Sequence, residues 1–243
     1  MNTPDQREKL DRIATADEIT GLDFTGLDLR PALARRTSAL TARRCTFDRA
    51  RLRGAGLAGS VFDDCTAVGA DFEDAVLVQS SISGGSFASA DFTGADLADA
   101  AFDGTDLAHA VFARAMLDDA AFTGCRMTGA NLADLRGLAV TLTFTRCAMQ
   151  LADLHRAPLR GIHLTGCDLT EADLRGADLR EAVFDDCKLR ESHLDDALLE
   201  DADLRGADLG EITERTVRSL RGAVISPAQA AAVCATLGLR VHP

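Results

Sequence analysis

Six of the seven cysteines in this 243-residue chain keep a fixed interval. Cys45, Cys65 and Cys125 lie at multiples of twenty, and so do Cys147, Cys167 and Cys187. Thiolates at regular spacing could ligate zinc, but tetrahedral coordination needs ligands converging from several directions, and sulfurs in single file do not converge. The five histidines, His109, His155, His163, His193 and His242, do not stand at ligand spacing from them. The second set of capable side chains is acidic: Asp63 with Asp64, Asp118 with Asp119, Asp185 with Asp186, Asp195 with Asp196 and Glu200 with Asp201, together with Asp91 and Asp96. No nucleophile stands beside a base among them, so acid–base catalysis is not indicated. Carboxylates arrayed on a stiff support would present a line of negative charge to a cationic partner. The run Gly54-Ala55-Gly56-Leu57-Ala58-Gly59 fits a dinucleotide fingerprint by letter, yet no crossover helix follows it. Neither enzyme activity, metal nor cofactor is expected.

The element that must carry these side chains is set by a period of five. From Ala90 to Ala120 a small residue stands two places before each Phe or Leu: Ala90 before Phe92, Ala95 before Leu97, Ala100 before Phe102. An extended backbone puts the small and the large residue on one side and the residue between them on the other. The last two residues of each five, such as Thr-Gly or Asp-Asp, have turn chemistry. Each pentapeptide is therefore a short edge and a corner. The cysteine interval of twenty makes four edges per coil, so the cross-section is square. Phe62, Ile82, Phe102, Phe122, Phe144, Leu164, Phe184 and Leu204 form one inward ladder. Leu57, Leu77, Leu97 and Leu117, resumed by Leu159, Leu179 and Leu199, form another. A fixed internal period means a repeat architecture in which each coil rests on its neighbours.

Three segments follow. Residues 1–21 lack the repeat; Asp5 is placed to cap a helix through Ile13, with Pro4 just outside it, as a lid on the column. Residues 22–211 are the solenoid, with register slips near 31–44, where a loop is expected to leave the coil, and near 136–143, where a small bulge is expected. Residues 212–243 form a cap. In it Ser226 is an N-cap, Pro227 opens a helix to Leu237, and Gly238 ends it. Leu239 and Val241 alternate like a final short strand. Apolar residues left over there (Val224, Ile225, Val233, Leu237, Leu239 and Val241) are expected to pair with a second copy.

Net charge is −12, but it is uneven. Residues 1–53 carry about +3, 54–134 about −11, 142–211 about −8 and the segment after Glu211 about +3. Eight coils at about 4.8 Å give the body about one net negative charge per 2 Å, against one per about 1.7 Å in duplex DNA. The arginines of the basic end (Arg30, Arg35, Arg36, Arg43, Arg44, Arg49, Arg51 and Arg53) are compatible with a phosphate-binding patch or with a solvated surface. No aromatic residue interleaves them for base stacking, so direct nucleic-acid binding is not expected. The N-terminus has no signal-peptide core and no apolar run is long enough to span a bilayer, so a cytoplasmic location without membrane association is expected.

The A(D/N)LXX pattern resembles the pentapeptide-repeat family over residues 22–211, which implies a right-handed quadrilateral β-helix. Phe62 to Phe72 (FDDCTAVGADF) resembles a recurring segment of the Qnr quinolone-resistance proteins. Leu159 to Cys167 (LRGIHLTGC) is similar to part of the mycobacterial MfpA type. Arg221 to Ile225, Gln229-Ala230 and Leu237 to Leu239 resemble the tail both groups share, which implies a tip-to-tip homodimer. The resemblance implies an acidic rod that imitates DNA and binds DNA gyrase or topoisomerase IV, inhibiting the enzyme or protecting it from its poisons. The chain departs from Qnr in lacking a long mid-rod loop, which leans towards the MfpA type. The alternative is a non-catalytic interaction scaffold with an unrelated cytoplasmic protein.

Overall fold

A computed structural model describes residues 4–137 and 142–241. Nine three-residue strands, one per coil, stack into a single parallel sheet in sequence order. They are β1 (Glu18–Thr20), β2 (Thr41–Arg43), β3 (Val61–Asp63), β4 (Ser81–Ser83), β5 (Ala101–Asp103), β6 (Ala121–Thr123), β7 (Thr143–Thr145), β8 (His163–Thr165) and β9 (Val183–Asp185). This sheet is the first face of the column. The other three faces are built from single parallel bridges, such as Ser86↔Asp106 on the second, Asp71↔Asp91 on the third and Val76↔Asp96 on the fourth. The step from coil to coil is twenty residues from β2 to β6, becomes twenty-two between Phe122 and its partner Phe144, and is twenty again to β9. The slip expected near 136–143 is therefore present; residues 138–141 within it lie outside the described residues.

The core is a shaft. Phe62, Ile82, Phe102, Phe122, Phe144, Leu164, Phe184 and Leu204 are all buried. Phe102 and Phe122 stack with centroids 4.6 Å apart and planes 4° from parallel. A second aromatic ladder, Phe72, Phe92 and Phe112, rises on the opposite, third face, with Phe92 and Phe112 stacked at 5.0 Å. The two ladders meet edge to face, Phe92 on Phe102 at 86° and Phe102 on Phe112 at 88°. Stacked and T-shaped pairs are both favourable aromatic geometries, each worth about 0.5–1.5 kcal/mol beyond burial.

The six cysteines fill the small inward column before the second face, and all are free and buried. Each thiol donates towards carbonyls, as Cys125 Sγ does to Phe102 O at 3.6 Å. Thr105 stands in the same column and donates from Oγ1 to Ile82 O at 3.2 Å. Stacked thiols, and then burial, push Cys65, Cys147 and Cys187 above the ordinary thiol range. These thiols are small hydrophobic spacers with a weak donor, not nucleophiles.

Corners require a left-handed residue. Gly54 and Gly59 supply two of them, while Gly56 lies on an edge bridged to Val76. Leu151 occupies such a corner at φ 59° and is 57% exposed. A left-handed L-residue is strained by about 1–2 kcal/mol, partly offset by the greater chain entropy of glycine. Leu151→Gly is therefore expected to stabilise the protein by about 0.5–1 kcal/mol, read as a raised denaturant midpoint.

Both ends depart from expectation in detail. Helix α1 (Pro4–Thr15) begins with Pro4 inside it, not outside, and runs beyond Ile13 to Thr15. Proline suits a first turn, whose N–H groups have no intrahelical acceptor. Asp5 pairs with Lys9 at 2.8 Å, and Ile13 and Ala14 enter the core. The 31–44 segment does not project as a loop. It forms a helical turn, α2 (Arg30–Leu33), with Ala32, Leu33 and Leu40 buried, and absorbs three extra residues before β2. Arg36 holds it, donating to Ile13 O at 2.7 Å, Ala16 O at 2.8 Å and Ala39 O at 2.9 Å. Burial lowers the pKa of this guanidinium, and its hydrogen bonds satisfy carbonyls at the end of α1.

At the other end a helix absent from the sequence reading, α3 (Glu214–Ser219), precedes α4 (Pro227–Thr236). Ser226 caps α4 as expected, Leu237 is its C-cap and Gly238 follows at φ 76°. Gln229 Oε1 accepts from Ser226 N at 2.7 Å, while its Nε2 donates to Leu204 O at 2.9 Å and Ala207 O at 2.8 Å. One amide thus closes the helix start and the last coil together. Leu239 and Val241 form no strand.

Candidate partner-binding surface

Of the twelve acids singled out by sequence, seven are exposed and five, Asp63, Asp91, Asp96, Asp118 and Asp195, are half-buried. The repeat explains why they come in pairs: the second of each pair takes the left-handed corner. Asp64, Asp119, Asp186, Asp196 and Asp201 have φ of 50°, 59°, 51°, 57° and 61°. Aspartate tolerates that conformation better than most side chains. Asp91 and Asp96 accept corner N–H groups of Thr93 at 2.9 Å and Ala98 at 3.2 Å. Turn formation and charge display are therefore served by the same residues.

The structure does not gather the twelve into one patch. Asp63, Asp64, Asp185 and Asp186 lie on the corner after the first face, six coils apart. Asp195 and Asp196 follow the opposite face; Asp118, Asp119, Glu200 and Asp201 follow the fourth. In the coil that begins with β9, the corners end on Asp186, Glu191, Asp196 and Asp201, an acid at each of four corners.

Ion pairing removes some of this charge. In the Asp-Leu-Arg edges both charged side chains point outward and meet in a fork: Arg175 on Asp173, Arg180 on Asp178 and Arg205 on Asp203, with Nε–Oδ1 distances of 2.8, 2.8 and 2.9 Å. These arginines lower the carboxylate pKa values, that of Asp203 to about 2. Of the twelve, Asp63 pairs with Arg43 and Asp195 with Arg215, whereas the other ten make no ion pair among the described residues. Asp71, Asp99, Asp103 and Glu191 are also unpaired there and were missed. Asp71 shares the bridge column of Asp91, and that periodicity could have found it.

Coil by coil, the body is not uniformly acidic. Residues 61–120 hold twelve acids and one arginine; residues 163–202 hold twelve acids and four basic residues. Between them, residues 121–162 hold two acids and five arginines. The evenly charged rod drawn from sequence is thus two acidic zones separated by a basic belt. In the belt, Arg136 is turned to structure, donating to Arg114 O at 2.5 Å and Gly94 O at 2.7 Å. Within the zones the density is about one negative charge per 1.3 Å, taking about 4.8 Å per coil, which exceeds that of DNA. Most of the N-terminal arginines are engaged: Arg30 with Asp28, Arg35 with Asp11, Arg43 with Glu18, Arg53 with Glu73, and Arg36 with backbone.

Two family models cover most of the chain. Pentapeptide repeats (8 copies) match residues 45–84, 57–94 and 95–137, and a pentapeptide repeat region matches 139–213. The chain belongs to the pentapeptide-repeat family. Full-length QnrB1, a plasmid-mediated fluoroquinolone resistance protein, is similar in structure, with TM-score 0.54 and 22% identity over 91% of this chain and 100% of QnrB1. A trypsin-treated QnrB1 variant gives 0.53 and 22% over 93% and 97%. HetL, a pentapeptide repeat protein involved in heterocyst differentiation regulation from the cyanobacterium Nostoc sp. strain PCC 7120, gives 0.41 and 22% over 85% and 96%. At this identity the likeness to QnrB1 shows the fold. A search of curated proteins returns no match.

In this pentapeptide-repeat protein the six tail residues expected at a dimer seam divide. Val224, Leu237, Leu239 and Val241 are 41%, 55%, 59% and 58% exposed. Ile225 and Val233 pack partly on the core, and Val224 also bridges Asp203 as the last rung. No helix among the described residues is long and apolar enough to cross a membrane.

Proposed function

We propose that this pentapeptide-repeat protein is a non-catalytic cytoplasmic DNA mimic that occupies the DNA-binding surface of DNA gyrase or topoisomerase IV. It inhibits the enzyme, or protects it from poisons such as fluoroquinolones, and works as a homodimer joined through its apolar C-terminal tip. The observation that carries this reading is the pair of acidic zones on a stiff column, each with a net negative charge at least as dense as that of DNA phosphates. The likeness of fold to QnrB1 supports it.

The test neutralises one zone without disturbing the corners. Asparagine tolerates the left-handed conformation as aspartate does, so Asp185→Asn, Asp186→Asn, Asp196→Asn and Asp201→Asn, with Glu200→Gln, leave the column intact. The combined variant is expected to need about tenfold more protein to alter gyrase supercoiling, because each lost charge removes part of a salt-sensitive attraction. Its salt dependence should flatten accordingly. An unchanged dose response sinks the mimicry.

A second reading, a scaffold for an unrelated protein, is favoured by the neutral strip on the first two faces. Residues 81–90 carry no charged side chain. A partner seated there would be indifferent to the neutralised zone.

A further inference from the structure

The column ends unevenly. On its third face each coil offers backbone groups to the next: Leu174 N–H to His193 O and Gly176 N–H to Asp195 O, both at 2.9 Å, while His193 N–H reaches back to Ala172 O at 2.9 Å. One coil further on the chain departs at Gly210 and α3 takes the place of an edge. Leu194 N–H, Asp196 N–H and Ser192 C=O, the counterparts of those groups, make no hydrogen bond to any described residue. Beside them lies a cleft of about 440 Å³ between this open edge and α3, with Leu189, Leu194 and Leu209 at its base and Glu191 and Glu211 at its rim. Neither glutamate has an ion pair among the described residues.

The same end of the molecule carries a segment without a seat. Thr236 Oγ1 donates to Ile212 O at 2.7 Å, which pins the end of α4 between two residues of the cleft wall, Glu211 and Thr213. From there Leu239-Arg240-Val241 runs on, with both apolar side chains more than half exposed. Its apolar–basic–apolar order is the in–out–in order of every edge in the column. Laid on the open edge, it would place Leu239 and Val241 inward and Arg240 outward, near the uncompensated Glu191 and Glu211.

We propose that the third-face cleft takes the Leu239–Val241 tail of a second copy of this chain as an added parallel rung, with Arg240 in register with His193. Arg240 N–H then donates to Ser192 O, and Leu194 N–H donates to Arg240 O, repeating the bonding one coil below. Exchange of identical elements about a two-fold axis closes on itself, and it satisfies both copies at once. This rests on the dimer reading given above and specifies how the dimer is made.

The experiment uses the full chain beside a version ending at Gly238. Light scattering gives the mass, and hydrogen exchange follows the amide of Leu194. The full chain is expected to be a dimer with that amide protected. The shortened chain is expected to be a monomer in which it exchanges about tenfold faster or more. Mixing a His193→Cys chain with an Arg240→Cys chain is expected to give a disulfide-linked heterodimer under mild oxidation, with neither alone doing so. A shortened chain that stays dimeric with unchanged exchange at Leu194 overturns the exchange of tails while leaving the dimer standing. A full chain that is monomeric at every concentration overturns both. A monomer whose Leu194 amide is protected only when the tail is present shows the tail seated in its own cleft and overturns the second copy as occupant.

Discussion

Phe102→Asp is expected to unfold the middle of the first acidic zone. Phe102 is 1% exposed, stacked on Phe122 at 4.6 Å and held edge-on by Phe92 and Phe112, both at 6.2 Å. Removing such a ring costs about 3–5 kcal/mol in ordinary cores. A carboxylate in its place has no partner inside the shaft and adds a desolvation penalty of several kcal/mol more, or takes up a proton. Because a coil touches only the coils above and below, the damage spreads along the column and not through a common core. Hydrogen exchange is therefore expected to lose protection over residues 81–123 while residues 163–185 keep theirs. Phe102→Leu, which the same ladder already uses at Leu164 and Leu204, is expected to cost about 1–2 kcal/mol. A Phe102→Asp chain melting with that of the leucine variant would contradict the ladder as the source of stability.

The contrast between those substitutions shows what the residue pattern could reveal. Every rung position of Phe102 is readable because five-residue edges force the large side chain inward, whatever its neighbours are. The cysteine interval of twenty gave the number of edges for the same reason. Arg36 was different: its guanidinium is one of eight in a basic run, and only the folded approach of α1 to α2 tells it apart from solvated arginines. The helix α3 was missed because six residues offer no periodicity; its one local sign was Thr213, whose side chain accepts from Thr216 N. The second aromatic ladder, Phe72 to Phe112, was legible in the same register but was not drawn out.

The candidate surface was legible in residue type but not in distribution. Counting acids over the whole body averages the arginines of residues 121–162 into a uniform density. Counting by coil would have exposed the belt, since the twenty-residue frame was already known. What no count supplies is pairing. Asp173 and Asp91 occupy the same bridge column, yet Asp173 is forked by Arg175 while Asp91 is not. In Asp-Leu-Arg edges the residue two places further on neutralises the acid, while others, such as Asp63 by Arg43 and Asp106 by Arg126, are neutralised from the neighbouring coil. By these two routes the first zone keeps eight of its twelve acids free of ion pairs among the described residues and the second keeps seven of twelve, so the shorter second zone displays more per coil.

Gly85→Ala is expected to disturb that first zone from within. Gly84 and Gly85 are consecutive left-handed residues, at φ 62° and 66°, in the coil that carries Asp91 and Asp96. A Cβ at Gly85 would fall 1.9 Å from Cys65 O and 2.8 Å from both Cys65 C and Cys65 N, so it would meet backbone that no rotamer change can move. The left-handed conformation adds about 1–2 kcal/mol for alanine, and forced repacking about 1–3 kcal/mol. Gly84→Ala is the matched control: it takes the same conformational penalty, but its nearest neighbour would be Asp64 Oδ1 at 3.7 Å, an ordinary contact. Denaturant midpoints should therefore show a loss of about 1–2 kcal/mol for Gly84→Ala and about 2–5 kcal/mol for Gly85→Ala. Because Gly85 stands in the column of Cys65 and Thr105, relief of the overlap must push two coils apart at that corner. Exchange at Ser86, whose N–H donates to Cys65 O at 3.0 Å, is expected to quicken in the Gly85 variant alone. Equal losses at both glycines would mean that the close approach at Cys65 does not exist in solution, and that handedness alone selects glycine there.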